Sequence, residues 1–181
     1  MRLALTPHPD FRPDAIAAIE VEIMRAGPER LELVYRAQGS TPDLLVTAHA
    51  EPERTDGLWA TTCFELFAKR ADGEAYCEFN FAPSSQWAAY AFDGYRAGMR
   101  ELAMEAPVIE MSATDDVFEL RVAVEASVLS AGARLAVTAV IEQADGAKSY
   151  WSVRHAAGKP DFHHADSFAI EAPASEVGND D

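Results

Sequence analysis

Short runs in which hydrophobic and polar side chains alternate recur along the chain and end at Gly, Pro or Asp, whereas helical periodicity is weak. This pattern predicts an all-β protein, either a sandwich or a barrel. The predicted strands are Ala17–Met24, Leu31–Arg36, Leu44–Ala48, Cys63–Lys69, Ala75–Phe81, Trp87–Phe92, Val108–Ser112, Phe118–Ala126, Arg134–Gln143, Lys148–His155 and Ser167–Glu171.

The pair Asp72-Gly73 lies between two of these runs and predicts a β-hairpin. This turn places Leu66 opposite Phe79, on an apolar face that should point to the core. The opposite face is predicted to carry a mixed polar and aromatic set: Glu65, Phe67, Tyr76, Glu78 and Asn80. A second hairpin is predicted around residues 143–147.

The length of 181 residues with 49% hydrophobic content is sufficient for one hydrophobic core. We therefore expect a single domain over residues 1–171, followed by an acidic, frayed tail at 172–181. The formal net charge of −15 makes nucleic acid and membrane surfaces poor partners. No stretch reaches the ~20 apolar residues that cross a bilayer, and the N-terminus lacks a long apolar segment, so we expect a cytoplasmic protein with reduced cysteines.

Trp59 and Trp151 lie at the ends of predicted strands, beside turn-rich segments. Sugar rings stack on indole, while their hydroxyl groups need fixed polar partners. The two tryptophans are therefore candidate stacking plates for a ligand, although packing in the core or at its rim is the common role of a single tryptophan.

Glu65, Glu78 and Asn80 share one face of the first hairpin, where they can hydrogen-bond hydroxyl groups. Two carboxylates on one face are also consistent with a glycoside hydrolase. The simpler alternative is that these residues lie on a solvent-exposed face of the sheet. No nucleophile elbow, phosphate-binding loop or dinucleotide fingerprint occurs in the sequence. We therefore predict a protein that binds without catalysis, with no catalytic residue.

The segment 154–164 concentrates three histidines and two cations in an otherwise acidic chain. We interpret it as an ordered loop in which Arg154 and Lys159 meet an oxygen-rich ligand and His163 or His164 binds that ligand or braces the loop. A metal site is less favoured, because adjacent histidines on an extended chain point in opposite directions. The metal content is therefore left undetermined.

Several segments together resemble the DOMON-like superfamily, in particular bacterial stand-alone proteins similar to family 9 carbohydrate-binding modules. The resemblance extends over roughly residues 30 to 171. It is carried by segments 58–67, 76–83, 87–90, 150–151 and 158–164.

This resemblance implies a jelly-roll-like β-sandwich of two antiparallel sheets with about ten or eleven strands. It implies a pocket for a sugar in some branches and for haem in others. By motif position Trp59 and Trp151 would enclose the sugar ring, with Glu65 following the first of them, while Cys63 stands where these modules usually have Asp. Structural calcium is also implied, with no ligands assigned, and an association with peptidoglycan-precursor enzymes makes a cell-wall amino sugar conceivable.

Three hypotheses follow. The first is binding of a mono- or disaccharide by the tryptophans and their polar neighbours. The second is haem binding, for which Met99, Met104, His155 and His163 are available as axial ligands. The third is a protein-docking module or a glycoside hydrolase.

Overall fold

The computed structural model describes residues 1–12 and 14–174, and their regular structure is almost entirely β-strand, with four short 3₁₀ turns. The strands in these ranges are β1 (Arg2–Pro7), β2 (Ile16–Arg25), β3 (Arg30–Gly39), β4 (Cys63–Lys69), β5 (Tyr76–Phe81), β6 (Trp87–Phe92), β7 (Arg100–Glu101), β8 (Val108–Ala113), β9 (Val117–Glu125), β10 (Arg134–Glu142), β11 (Lys148–Ser152) and β12 (Ile170–Glu171). The 3₁₀ turns are Thr41–Asp43, Leu58–Ala60, Ser127–Leu129 and Ala165–Ser167.

The strands form one strongly curled antiparallel sheet in the order β7-β6-β5-β4-β10-β11-β1-β2-β3-β9-β8, with β12 beside β10. The two separate sheets expected from the sequence are not seen, because β1 belongs to both halves. Its residues Arg2–Leu5 pair with β2, and Thr6 and Pro7 pair with β11. One strand thus joins the two halves by continuous hydrogen bonding.

The curl brings the two halves face to face around the main hydrophobic core. Phe64 of β4 packs against Tyr35 of β3 and stacks on Phe118 of β9, with ring centroids 5.1 Å and 5.6 Å away. The hydroxyl of Tyr35 donates a 2.8 Å hydrogen bond across this core to the backbone oxygen of Glu65. These contacts fix β4 firmly against the opposite half of the sheet.

The predicted register of the first hairpin is confirmed, since Leu66 pairs with Phe79 and Glu65 with Asn80. The prediction of a strand at Leu44–Ala48 is wrong, because Leu44 forms only an isolated bridge, to Gln143. The sequence analysis also missed β1 and the two-residue β7. β1 joins the sheet only through long-range pairing with β2 and β11, which local patterning does not reveal.

Both faces of β4 are covered. Its apolar face, with Phe64 and Leu66, belongs to the main core, whereas Cys63 and Phe67 belong to a second hydrophobic cluster on the other face. This second cluster draws on β5, β6 and β10 and on the loop residues Phe162 and Phe168. Loops therefore cover the outer face of this half of the sheet.

At the C-terminal end, Ala172 is buried in the main core and its N–H donates to the backbone oxygen of Ala133, so residue 172 does not belong to a frayed tail. The remainder of that prediction, residues 175–181, lies outside the described residues. Within the described ranges, no helix has the length and apolar character needed to cross a membrane.

Candidate functional site

A cavity of about 480 Å³ lies on the outer face of the half-sheet formed by β4, β5, β6, β10 and β11. Its floor is built by strand residues that point away from the main core. Its walls are built by Tyr150 of β11, the segment around Trp59, the loop 93–99 and the loop 153–164. The lining residues are Trp59, Ala60, Glu65, Phe67, Glu78, Phe92, Arg96, Met99, Val140, Lys148, Tyr150, Pro160, Phe162 and His163.

Glu65 lies on the floor of this cavity and is only 2% exposed. The hydroxyl of Thr138, its cross-strand partner on β10, donates a 2.7 Å hydrogen bond to Glu65 Oε2. Burial and the neighbouring carboxyl of Glu78 raise the pKa of Glu65 to about 8, against the opposing effect of the Thr138 hydrogen bond. Without a ligand, Glu65 is therefore largely protonated at neutral pH.

Glu78 is 5% exposed and lies diagonally across from Glu65 in the β4–β5 ladder. The amide of Asn80, which is fully buried, donates a 2.9 Å hydrogen bond to Glu78 Oε1, and the Cys63 thiol donates in turn to Asn80 Oδ1. Burial raises the pKa of Glu78, although the Asn80 hydrogen bond and the charge of Arg96 act in the opposite direction. Asn80 thus orients the carboxyl group of Glu78.

His163 faces Glu78, with its Nε2 atom 3.8 Å from Glu78 Oε2. The Tyr76 hydroxyl accepts a hydrogen bond from the Arg96 backbone N–H and forms a 2.7 Å hydrogen bond with His163 Nδ1. His163 is thus held through Nδ1, with its Nε2 atom turned towards Glu78. Burial, with a contribution from Arg96, lowers the pKa of His163 to about 4, which keeps the ring neutral at physiological pH.

Asp161 holds the two wall loops together. Tyr95 donates to Asp161 Oδ2 over 2.6 Å, and Arg96 donates to Oδ1 over 2.9 Å. The backbone N–H of His163 also donates to Oδ1. Burial opposes the ionisation of Asp161, but the hydrogen bonds from Tyr95 and Arg96 outweigh it and lower its pKa.

Trp59 forms an exposed aromatic wall at the mouth of the cavity, with 43% of its surface accessible. Its ring meets the edge of Tyr90, whose hydroxyl donates to Asp56. Lys148 approaches from β11 and donates a 2.5 Å hydrogen bond to the backbone oxygen of Ala60, next to Trp59. The segment that carries Trp59 is thereby tied to the sheet.

Among the ligand-binding residues predicted from the sequence, Trp59, Glu65, Glu78 and His163 line the cavity, and Asn80 supports Glu78 from beneath. The expectation that Trp151 forms a second plate is wrong. Trp151 is 1% exposed, belongs to the main core, and donates from Nε1 to Ser149 Oγ over 2.9 Å. The period of two along β11 directs its ring to the face opposite the cavity.

The predicted ligand contacts of the histidine-rich loop are also corrected in part. Arg154 and Lys159 are exposed and do not line the cavity, because the loop turns their side chains outward. His164 caps the short 3₁₀ turn Ala165–Ser167 by accepting from the Asp166 N–H, and thus braces the loop. His163 is the histidine of this adjacent pair that faces the cavity.

The sequence analysis missed Tyr150, which is half-buried and takes the position on the cavity side that was assigned to Trp151. Tyr150 pairs with Val140 in the β10–β11 ladder, and Val140 shares a face with Thr138 and Glu65. The register of the second hairpin therefore distinguishes the two residues, because it places Tyr150, and not Trp151, on the face that carries Glu65. Phe92, Arg96 and Lys148 were not predicted as lining residues, and Met99 was considered only as a haem ligand.

The described residues do not cluster their metal-binding side chains, and two of the four candidate haem ligands lie away from the cavity. No set of three or more carboxylate, histidine or cysteine side chains in the described ranges is arranged to hold a metal ion such as calcium. For haem, Met104 packs against the main core and His155 is bonded through Nε2 to Thr6, so neither lines the cavity. Met99 and His163 do line it, but His163 is bonded through Nδ1 and directs Nε2 at Glu78.

The fold is similar to that of a solved protein from Bacteroides uniformis, described as a candidate carbohydrate-binding protein. The two share 15% sequence identity with a TM-score of 0.63, over 93% of this chain and 83% of the other. At this identity the similarity supports the all-β fold. No family model and no curated protein matches the sequence.

Proposed function

We propose that this protein binds a carbohydrate, a mono- or disaccharide, in the cavity on the outer face of the sheet and does not transform it. The observation that carries the proposal is the combination of aromatic walls, Trp59 and Tyr150, with a floor of buried hydrogen-bonding groups, Glu65 and Glu78. Sugar rings present apolar C–H faces and a rim of hydroxyl groups, which match these two kinds of surface. The volume of about 480 Å³ is in the range of small-molecule sites.

The fold similarity to a candidate carbohydrate-binding protein supports this proposal. We further propose that the curled sheet is a variant of the jelly-roll-like sandwich of the DOMON-like superfamily. In this protein the stacking partner of Trp59 would be Tyr150 in place of Trp151, since Tyr150 reaches the cavity.

Binding without catalysis is favoured by the state of the two carboxyl groups. Glycoside hydrolysis requires one carboxylic acid and one ionised carboxylate that serves as nucleophile or base. Here burial raises the pKa of both Glu65 and Glu78, which opposes the ionised state that one of them would need. A panel of chromogenic glycosides should show no turnover, and turnover abolished by Glu65→Gln would contradict this part of the proposal.

The test of binding is calorimetric titration with a panel of mono- and disaccharides. Trp59→Ala and Tyr150→Ala should each weaken the best ligand at least tenfold, because each removes an aromatic wall of the cavity. Met111→Ala is the control, since Met111 on β8 is 42% exposed, nearly as much as Trp59, and lies on the other half of the sheet. Unchanged affinity in both wall variants would overturn the proposed site.

A further inference from the structure

Among the described residues, the floor of the cavity presents two carboxyl groups, and no cationic side chain is bonded to Glu65. Its hydrogen-bond partner among the described residues is the neutral hydroxyl of Thr138. Glu78 is bonded to the neutral amide of Asn80 and faces the neutral imidazole of His163. Two buried carboxyl groups bonded only to neutral partners ionise at a high cost in free energy.

The two cations that line the cavity have acidic partners outside the floor. Arg96 is paired with Asp161 at 2.9 Å, and its side chain is about half exposed. Lys148 is bonded to the backbone oxygen of Ala60 and lies 3.9 Å from Glu142. Arg96 partly offsets the charge of Glu78, but no residue in the described part of the chain places a positive group beside Glu65.

We propose that the ligand carries a protonated amine, which lies on the cavity floor against Glu65 and Glu78. An ammonium group donates three hydrogen bonds, enough for the oxygen atoms that the two carboxyl groups present there. The aromatic walls would also favour a cation near their ring faces. This inference rests on the proposed function, which identifies the ligand as a sugar. Together the two proposals identify the ligand as an amino sugar with a free amine.

Binding of an ammonium group must displace a proton from the floor. Because the pKa of Glu65 is about 8 in the free protein, the group is mostly protonated at pH 7, and a cation beside it favours the carboxylate. An amine ligand should therefore release about one proton on binding at pH 7, whereas a neutral sugar should release none. Among the described residues, the titratable groups around Glu65 and Glu78 are Tyr35, Cys63, Tyr76, Tyr90, Arg96, Lys148 and His163.

The experiment is calorimetric titration at pH 7 with two matched pairs of probes, glucosamine against glucose and cyclohexylamine against cyclohexanol. The small ring of cyclohexylamine can turn its amine to the floor whatever the position of the amine in the natural ligand. In at least one pair the amine should bind tenfold or more tightly than the hydroxyl compound. Repeating the titrations in buffers of different ionisation enthalpy measures the released proton.

Glu65→Gln should remove the preference for the amine and the proton release, because the amide keeps the shape of the carboxyl group without its charge. Glu110→Gln on β8 is the control, since this exposed carboxylate lies on the other half of the sheet. A thermal melt confirms that both variants fold.

The outcomes separate the two proposals. Glucose that binds as tightly as glucosamine, with no preference in the cyclohexyl pair, would overturn the amine inference and leave sugar binding intact. Amine binding that depends on Glu65 in the cyclohexyl pair, with no binding of any saccharide, would support the amine inference and overturn sugar binding. Amine preference that persists in Glu65→Gln would place the amine elsewhere and overturn the inference.

Discussion

Replacing Trp151 with phenylalanine should destabilise the protein without affecting the ligand cavity. The indole is 1% exposed in the main core, and its Nε1–H donates to Ser149 Oγ, which belongs to a residue that is itself 2% exposed. Phenylalanine leaves part of the indole volume empty and removes the donor from the buried hydroxyl.

The magnitude follows from these two losses. Truncating a buried tryptophan to alanine costs about 3–5 kcal/mol, of which phenylalanine recovers a large part. A buried polar atom left without its partner costs about 1–3 kcal/mol. We therefore expect the free energy of unfolding to fall by about 3 kcal/mol, which corresponds to a decrease in Tm of about 6–12 °C for a chain of this size.

The assay combines guanidinium unfolding with ligand titration, and Trp59→Phe is the matched control. Trp59 is 43% exposed, so its replacement should change the free energy of unfolding by less than about 1 kcal/mol and should weaken ligand binding. Trp151→Phe should show the reverse. A Trp151→Phe protein with unchanged stability and weakened binding would refute the assignment of this ring to the core.

Two further predictions concern the floor and the walls of the cavity. The pKa of Glu65 is raised from its ordinary value to about 8 in the folded protein, so its contribution to stability is fully present near pH 4 and is lost as the pH rises towards 8. Chemical unfolding should therefore show a free energy of unfolding that falls from pH 5 to pH 8, with a smaller decrease in Glu65→Gln. Equal slopes in the two proteins would contradict the assigned burial of Glu65. Asp161→Ala should detach the loop 93–99 from the loop that carries His163, which should speed amide hydrogen exchange in residues 93–99 and lower the free energy of unfolding by only about 1–2 kcal/mol. The control is Asp166→Ala, which removes a more exposed carboxylate from the loop that carries His163. Equal exchange in both variants would show that Asp161 does not hold the two loops together.

The floor of the cavity could be predicted from the sequence because it depends on local information. The Asp72-Gly73 turn sets the register of β4 and β5, and a period of two then places Glu65, Glu78 and Asn80 on one face. No knowledge of the rest of the chain is needed for this step. The same reasoning gave the correct bounds of β4 and β6.

The error at Trp151 has a physical origin in the burial of both faces of β10 and β11. Where both faces are covered, hydrophobic side chains occur on both, and alternation no longer reveals which face a residue occupies. The hydrophobic pattern then does not distinguish Tyr150 from Trp151, and the binding role was predicted for Trp151 because its aromatic ring is the larger. The structure resolves them through the pairing of Tyr150 with Val140 and of Trp151 with Ala139.

The contact between the two wall loops could not be predicted, because it joins segments far apart in the chain. Arg96 has a positive φ of 52° and is held at the cavity by an ion pair with Asp161, 65 residues away. The cavity thus combines a floor fixed by the sheet with a wall that two loops form by binding each other. Since local opening of loops requires less free energy than opening of a sheet, ligand entry should proceed through the wall, while the floor retains the geometry that recognises the ligand.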